Sequence, residues 1–286
     1  MTRAALDIGT NSMRLLIVDD GGVDLVRIAT VTGLGRGVDA DRALSEEAIS
    51  RTVAVLEEYA RLCEGHGVDR RRAVATSATR DAENRDEFLD RAESALGVRP
   101  EVISGVEEAA LAHAGATRGR EGDFVVVDIG GGSTEFVFRT DDIVAVSIDI
   151  GSVRLTDRLL PERPAAFDAI ETAVEHVEGM FAEVVIPDGL DVIGVAGTWT
   201  SLAAILAGRD GSVHDSVIDR LSADRLVGRL AGLTIPETER LPGLDPARAP
   251  VILAGAVIAR QVMRTLDVPE VTVSERDLLD GVVAGL

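Results

Sequence analysis

Short apolar runs alternate along this chain with longer stretches of helical periodicity. Ala4–Asp7 and Met13–Asp19 read as strands joined by the tight polar turn Gly9–Ser12, and Asp20-Gly21-Gly22 turns the chain into a third strand near Val23–Val31. Ser45 with Glu46 and Glu47 starts a helix, which the spacing of Ile49, Val53 and Leu56 carries to about Glu64. A strand at Arg72–Thr76 leads through a Thr-Ser-Ala turn into a helix over Arg85–Leu96. A short strand, Glu101–Ile103, and a short helix, Val106–Gly115, follow. The Gly- and charge-rich stretch Thr117–Asp123 is the candidate boundary between two domains, 1–119 and 120–286.

Past that boundary, Phe124–Asp128 is an apolar β-branched run of the kind a buried strand needs. The turn Gly130-Gly131-Gly132 and strands at Thr134–Arg139 and Ile143–Ile150 come next. A long helix is expected from about Pro164 to Val185, then a strand at Asp191–Ala196 and helices near Thr200–Leu206, Ala223–Ala231 and Ala247–Leu266. Glu270–Val273 reads as a strand and Asp277–Ala284 as a helix that can pack back on the first domain. Strands alternating with helices indicate α/β layers.

Composition narrows the chemistry. The 286 residues carry 49 acidic and 29 basic side chains, a formal charge of −20 that argues against a nucleic-acid polymer as partner. Every basic side chain is arginine, so a Walker A lysine, a kinase strand lysine and a Schiff-base lysine are all excluded. The single cysteine, Cys63, permits no internal disulfide, and His66, His113, His176 and His214 form no HExxH pair. No apolar run approaches the roughly 20 residues needed to span a bilayer, and Asp7 interrupts the first apolar stretch, so a cytoplasmic location away from membranes is expected.

The most informative feature is an internal repeat. Residues 7–12 read Asp-Ile-Gly-Thr-Asn-Ser and residues 128–133 read Asp-Ile-Gly-Gly-Gly-Ser, each joining an incoming apolar strand to an outgoing one. Such duplication suggests two homologous domains facing each other across a cleft; two unrelated hairpins are the plainer reading. Gly9, Gly130, Gly131 and Gly132 let backbone N–H groups gather around an anion. Thr10, Asn11 and Ser12 in one loop, and Ser133 and Thr134 in the other, add side-chain donors. An aspartate beside bound phosphate is repulsive unless a cation intervenes, so Asp7, Asp128 and Glu135 are candidate oxygen ligands for Mg²⁺. Turn capping is the alternative for each aspartate alone. The pair Glu107-Glu108 opens a helix, where it can be a source of general base or simply complement the helix dipole.

The ordered segments Asp7–Leu15, Thr76–Asn84, Ser104–Ala109, Asp128–Glu135, Gly151–Leu155, Ala196–Ala204 and Ser274–Gly281 resemble the exopolyphosphatase and guanosine pentaphosphate phosphohydrolase (Ppx/GppA) family. That family lies within the actin, heat-shock-ATPase and sugar-kinase superfamily. The resemblance implies two actin-like (ribonuclease H-like) α/β domains whose duplicated β-hairpin phosphate loops face an interdomain cleft. It implies hydrolysis of the terminal phosphate of inorganic polyphosphate, or conversion of pppGpp to ppGpp, with Mg²⁺. Carried over, Glu108 becomes the base that activates water, with Glu107 the lesser choice. Arg14 and Arg80 become phosphate contacts, and Asn84 supports its loop. The chain has Ala196-Gly197 where the family often has two glycines, which weakens the case for a nucleotide site there.

A sugar or acyl kinase of the same superfamily, and a silent sensor of ppGpp or polyphosphate, are the competing readings. Free phosphate release without an acceptor separates a hydrolase from a kinase. A homodimer is expected. Short-chain polyphosphate is the expected substrate, because the family match runs to Gly281 near the end of this sequence and an acidic exterior gives a long polyanion little to hold.

Overall fold

The computed structural model describes residues 1–10, 12–35, 38 and 42–286. They form two compact units, Met1–Gly115 with Leu278–Leu286, and Ala116–Asp277. The boundary therefore lies a few residues before the 119/120 position expected from composition.

In the first unit, β1 (Arg3–Ile8), β2 (Ser12–Val18), β3 (Asp24–Val31), β4 (Arg70–Ala75) and β5 (Glu101–Val102) form one sheet in the order β3-β2-β1-β4-β5. β1 to β3 are an antiparallel meander, while β4 and β5 run parallel to β1. Side chains alternate across β1. Ala4, Leu6 and Ile8 join the core beneath α1 (Glu46–Gly65) and α3 (Arg85–Leu96), while Ala5 faces the other way. Ser45 caps α1 by accepting from Ala48 N at 3.2 Å, which fixes the start that the sequence signals. Between β4 and α3 lies α2 (Ser77–Asp81), and after β5 comes α4 (Gly105–Ala116).

The second unit repeats this plan. β6 (Phe124–Ile129), β7 (Thr134–Arg139) and β8 (Ile143–Ile148) form the meander, followed after α5 (Ser152–Leu159) and α6 (Phe167–Phe181) by β9 (Asp191–Val195) parallel to β6. α7 (Ala196–Ala207), β10 (Val217–Asp219), α8 (Arg220–Ala231), α9 (Ile235–Thr238) and α10 (Ile252–Thr265) lead to β11 (Glu270–Val273). The sheet order is β10-β11-β9-β6-β7-β8, the first unit's order with one antiparallel strand added at the edge. Val125, Val127, Ile129, Phe136 and Phe138 pack into the core with Trp199 and the apolar side of α10.

The chain then returns to the first unit as α11 (Leu278–Ala284). Its Leu278, Leu279, Val282 and Val283 pack on Ala5, Leu16, Val18 and Val74, on the sheet face opposite α1. Arg27 and Asp280 tie it down with two hydrogen bonds of 2.8 and 3.0 Å. Burial alone would lower the Arg27 pKa, but the Asp280 and Asp24 carboxylates together hold it above its ordinary value. α11 can sit this close because position 281 is glycine: a Cβ there would collide with the carbonyl oxygen of Leu111 on α4.

Candidate active site

The repeated loops are built alike. In the first, Gly9 N donates to Ser12 O at 3.1 Å; in the second, Gly130 N donates to Ser133 O at 2.9 Å. Each loop follows the C-terminal end of a strand that has one parallel neighbour, the end at which open α/β sheets place their ligands.

Within the first unit, three connections converge on that edge. Thr76 N donates to Ile8 O at 3.2 Å, so the start of α2 lies against the first loop. Thr10 Oγ1 and Ser77 Oγ are 2.8 Å apart, and Ile103 N bonds to Ala75 O, which brings the start of α4 to the same edge. Asn11 lies outside the described residues. Ser12 is partly buried at the start of β2.

Asp7 and Arg14, read from the sequence as metal ligand and phosphate contact, stand opposite each other across the hairpin. Arg14 Nε and Nη2 both donate to Asp7 Oδ2, at 2.8 and 2.6 Å, and the aspartate is only 4% exposed. The carboxylate is thus already neutralised by a fixed cation. The pair fixes the direction in which Arg14 points.

Glu108 and Glu107 part company in space. Glu108 Oε2 lies 3.5 Å from Arg80 Nη1, which also donates to Ile103 O at 2.8 Å. Glu107 instead accepts from Arg72 at 3.0 Å, alongside Glu101. Ser104 starts α4 by accepting from Glu107 N at 3.2 Å. Asn84 holds its loop as expected, its amide bonded to both the N–H and the carbonyl of Leu44.

In the second unit, Asp128 and Glu135 are cross-strand partners, placed as Asp7 and Arg14 are in the first. Where one hairpin pairs a carboxylate with a guanidinium, the other sets two carboxylates together, at a cross-strand spacing of about 4.5–5.5 Å between Cβ atoms. Burial pushes the Glu135 carboxyl above its ordinary range, against the hydrogen bonds from Ser133 and Ser147, the latter at 3.0 Å. Such a pair favours a bound proton or a cation. Among the described residues, no group of three or more His, Cys, Asp or Glu side chains is gathered around one point. One or two carboxylates with phosphate oxygens nonetheless match the habit of Mg²⁺.

Thr134 departs from its expected role. Its hydroxyl is fully buried and donates to Ile150 O at 2.7 Å, so it locks the hairpin and cannot reach a ligand. The tip residues Gly131 and Gly132 are exposed, but the carbonyls of Gly130 and Gly131 receive the N–H groups of Ser152, Val153 and Arg154 at 2.9–3.1 Å. The start of α5 is therefore spent on the loop rather than on an anion. Gly151 permits this approach, since a Cβ there would stand 2.5 Å from the Gly131 backbone.

Two side chains enter this picture without having been singled out by sequence reasoning. Ser77 is one; its place in the Thr76–Asn84 segment was the available signal. The other is Arg248, whose guanidinium lies against Gly197 at the β9–α7 turn, where Ala196 adopts φ 65°. Arg248 sits in a 3₁₀ turn distant in sequence, and nothing local marks it.

Residues 17–286 match the model of the Ppx/GppA phosphatase family. The chain is 38% identical over 312 aligned positions to exopolyphosphatase 2 of Mycobacterium tuberculosis, covering 99% of this chain and 98% of that protein. It is 28% identical to exopolyphosphatase 1 of Mycobacterium leprae, covering 99% and 88%. Among solved structures, the Ppx/GppA family member of Aquifex aeolicus superposes with a TM-score of 0.87 at 31% identity, covering 100% of this chain and 97% of that one. A nucleoside triphosphate hydrolase of Neospora caninum, at 10% identity and a TM-score of 0.56, shares the fold alone. A glycine-rich hairpin in each of two like-built sheets and similarity over the full length of the chain agree: the chain belongs to the Ppx/GppA phosphatase family, hydrolases of phosphoanhydride bonds.

Proposed function

We propose that this protein is an exopolyphosphatase that releases the terminal phosphate of short inorganic polyphosphates by attack of water activated by Glu108. The observation that carries the reading is the position of Glu108, at the start of α4 on the same strand edge as the first loop, 3.5 Å from Arg80. Arg80 orients the carboxylate and offers its remaining N–H groups to a phosphate oxygen. Glu108 takes a proton from water as the oxygen attacks terminal phosphorus; the bond to the bridging oxygen breaks, releasing orthophosphate and a chain one unit shorter. Arg14, aimed by Asp7, and the loop N–H groups stabilise charge on the phosphate oxygens.

Asp128 and Glu135 are the residues suited to hold Mg²⁺, which when bound supplies charge neutralisation for a polyanion that a chain of net charge −20 would otherwise repel. Short chains are favoured on the same ground, because each further phosphate meets a net acidic surface. The reading places the enzyme in the cytoplasm, as a homodimer. Phosphate release from short and long polyphosphates, pppGpp and ATP tests it. The expected order puts polyphosphates of a few to some tens of units first, an order-of-magnitude range set by limited contact surface. Faster release from pppGpp would make the enzyme a pentaphosphate phosphohydrolase, and phosphate release from ATP alone would overturn the reading.

A further inference from the structure

A second cationic site lies in the second unit, away from the loops. Between α8 and α10 there is a cavity of about 230 Å³ lined by Arg220, Ala223, Asp224, Arg260, Met263 and Arg264. Three guanidiniums and the Asp224 carboxylate line it, with Asp267 paired to Arg220 and Glu178 close enough to act on Arg260. Arg264 Nη2 lies 3.2 Å and Arg260 Nη1 3.7 Å from the same oxygen of Asp224. Arg220 is fixed from behind by Asp267 at 2.7 Å and by the carbonyls of Met263 and Val268. The nearby Glu178 carboxylate accepts from Gln261 at 2.7 Å.

Arg260 is the telling member. Its side chain is only 15% exposed, and its buried Nε has no hydrogen-bond partner. Burial first, and then the neighbouring Arg264, depress its pKa, and the Asp224 and Glu178 carboxylates offset that only in part. A desolvated guanidinium with an unused donor is costly unless an anion completes it. The cavity is smaller than ordinary organic-ligand pockets of roughly 300–1,000 Å³, but planar guanidiniums on several sides suit a tetrahedral oxyanion.

The site also stands apart from the loops. Arg220 N donates to Pro269 O at 3.1 Å, at the entry to β11, whereas Gly130–Ser133 follow the exit of β6. β6, β9 and β11 are parallel, so the two places lie at opposite ends of the strands of one sheet.

We propose that this cavity binds a phosphate-type dianion, orthophosphate or pyrophosphate, independently of the hydrolytic site and of metal. Calorimetric titration of the full chain with each anion in EDTA provides the test, on the wild type and on Arg260→Gln and Arg264→Gln. Binding to the wild type should weaken about tenfold or more in both variants, as loss of charge-assisted hydrogen bonds predicts. The kcat and KM for polyphosphate with Mg²⁺ should stay within about twofold, because the altered residues lie far from the reacting phosphate. Arg264 is half exposed, so its variant keeps the test valid if Arg260→Gln fails to fold. Unchanged binding in a folded variant, no binding by the wild type at about 10 mM anion, or a parallel fall in turnover would each overturn the proposal.

Discussion

Glu107 gives its carboxylate to Arg72, while Glu108 lies beside Arg80, and in the proposed mechanism this difference of partners gives them different roles. Glu108→Gln is expected to lower kcat by about 10²–10⁴ with thermal unfolding little changed. Glu107→Gln should leave kcat within a few-fold; a reversed order would make Glu107 the base. Glu135 allows a prediction in pH. Burial raises its folded pKa, so the folded protein holds this proton more tightly than the unfolded chain does. In metal-free buffer that stabilisation is complete below the ordinary glutamate range and is lost as pH rises through the raised folded value. Wild-type stability should therefore fall relative to Glu135→Gln across that window, as denaturant unfolding at a series of pH values would show; a constant difference would refute it. Sequence reasoning located both aspartates and both carboxylates of α4, since each sits in a short contiguous motif. The Asp7–Arg14 ion pair depended on hairpin register, and the burial of Thr134 on the approach of Ile150, which no local pattern reveals.

At the level of elements, strands and helices with strong periodicity were legible: Thr134–Arg139 and Glu270–Val273 match residue for residue. α5 was not read from the sequence, because its eight residues, though their apolar and polar positions segregate, fall short of the window over which a helical period is judged. β10, three residues with one buried, leaves equally little trace. The packing of α11 on α4 depends on one missing side chain, that of residue 281. Gly281→Ala drives a methyl group into the Leu111 carbonyl and should cost about 1–3 kcal/mol by overpacking. Chemical denaturation would measure it, and wild-type stability in the variant would mean that α11 is not seated as described.

For the molecule as a whole, charge decides what the substrate needs. With 49 acidic residues against 29 basic ones, attraction for a polyanion must come from local groups and a bound cation. Chelation with EDTA is expected to abolish phosphate release and added Mg²⁺ to restore it; full activity in metal-free buffer would leave Asp128 and Glu135 without their proposed task. The repeated hexapeptide suggests two homologous domains, and the described residues form two compact units. The sequence allowed the last helix to pack back on the first unit, where α11 lies, but carried no mark of which sheet face it would cover.

That split has a consequence for biosynthesis. Residues 278–286 emerge from the ribosome only after all of Ala116–Asp277, yet they cover Ala5, Leu16, Val18 and Val74. The first sheet must wait with that apolar face uncovered while the whole second unit is translated, an interval in which chaperones or misassembly can compete for it. A nascent chain arrested before Leu278 should thus carry a folded second unit and a protease-sensitive first one.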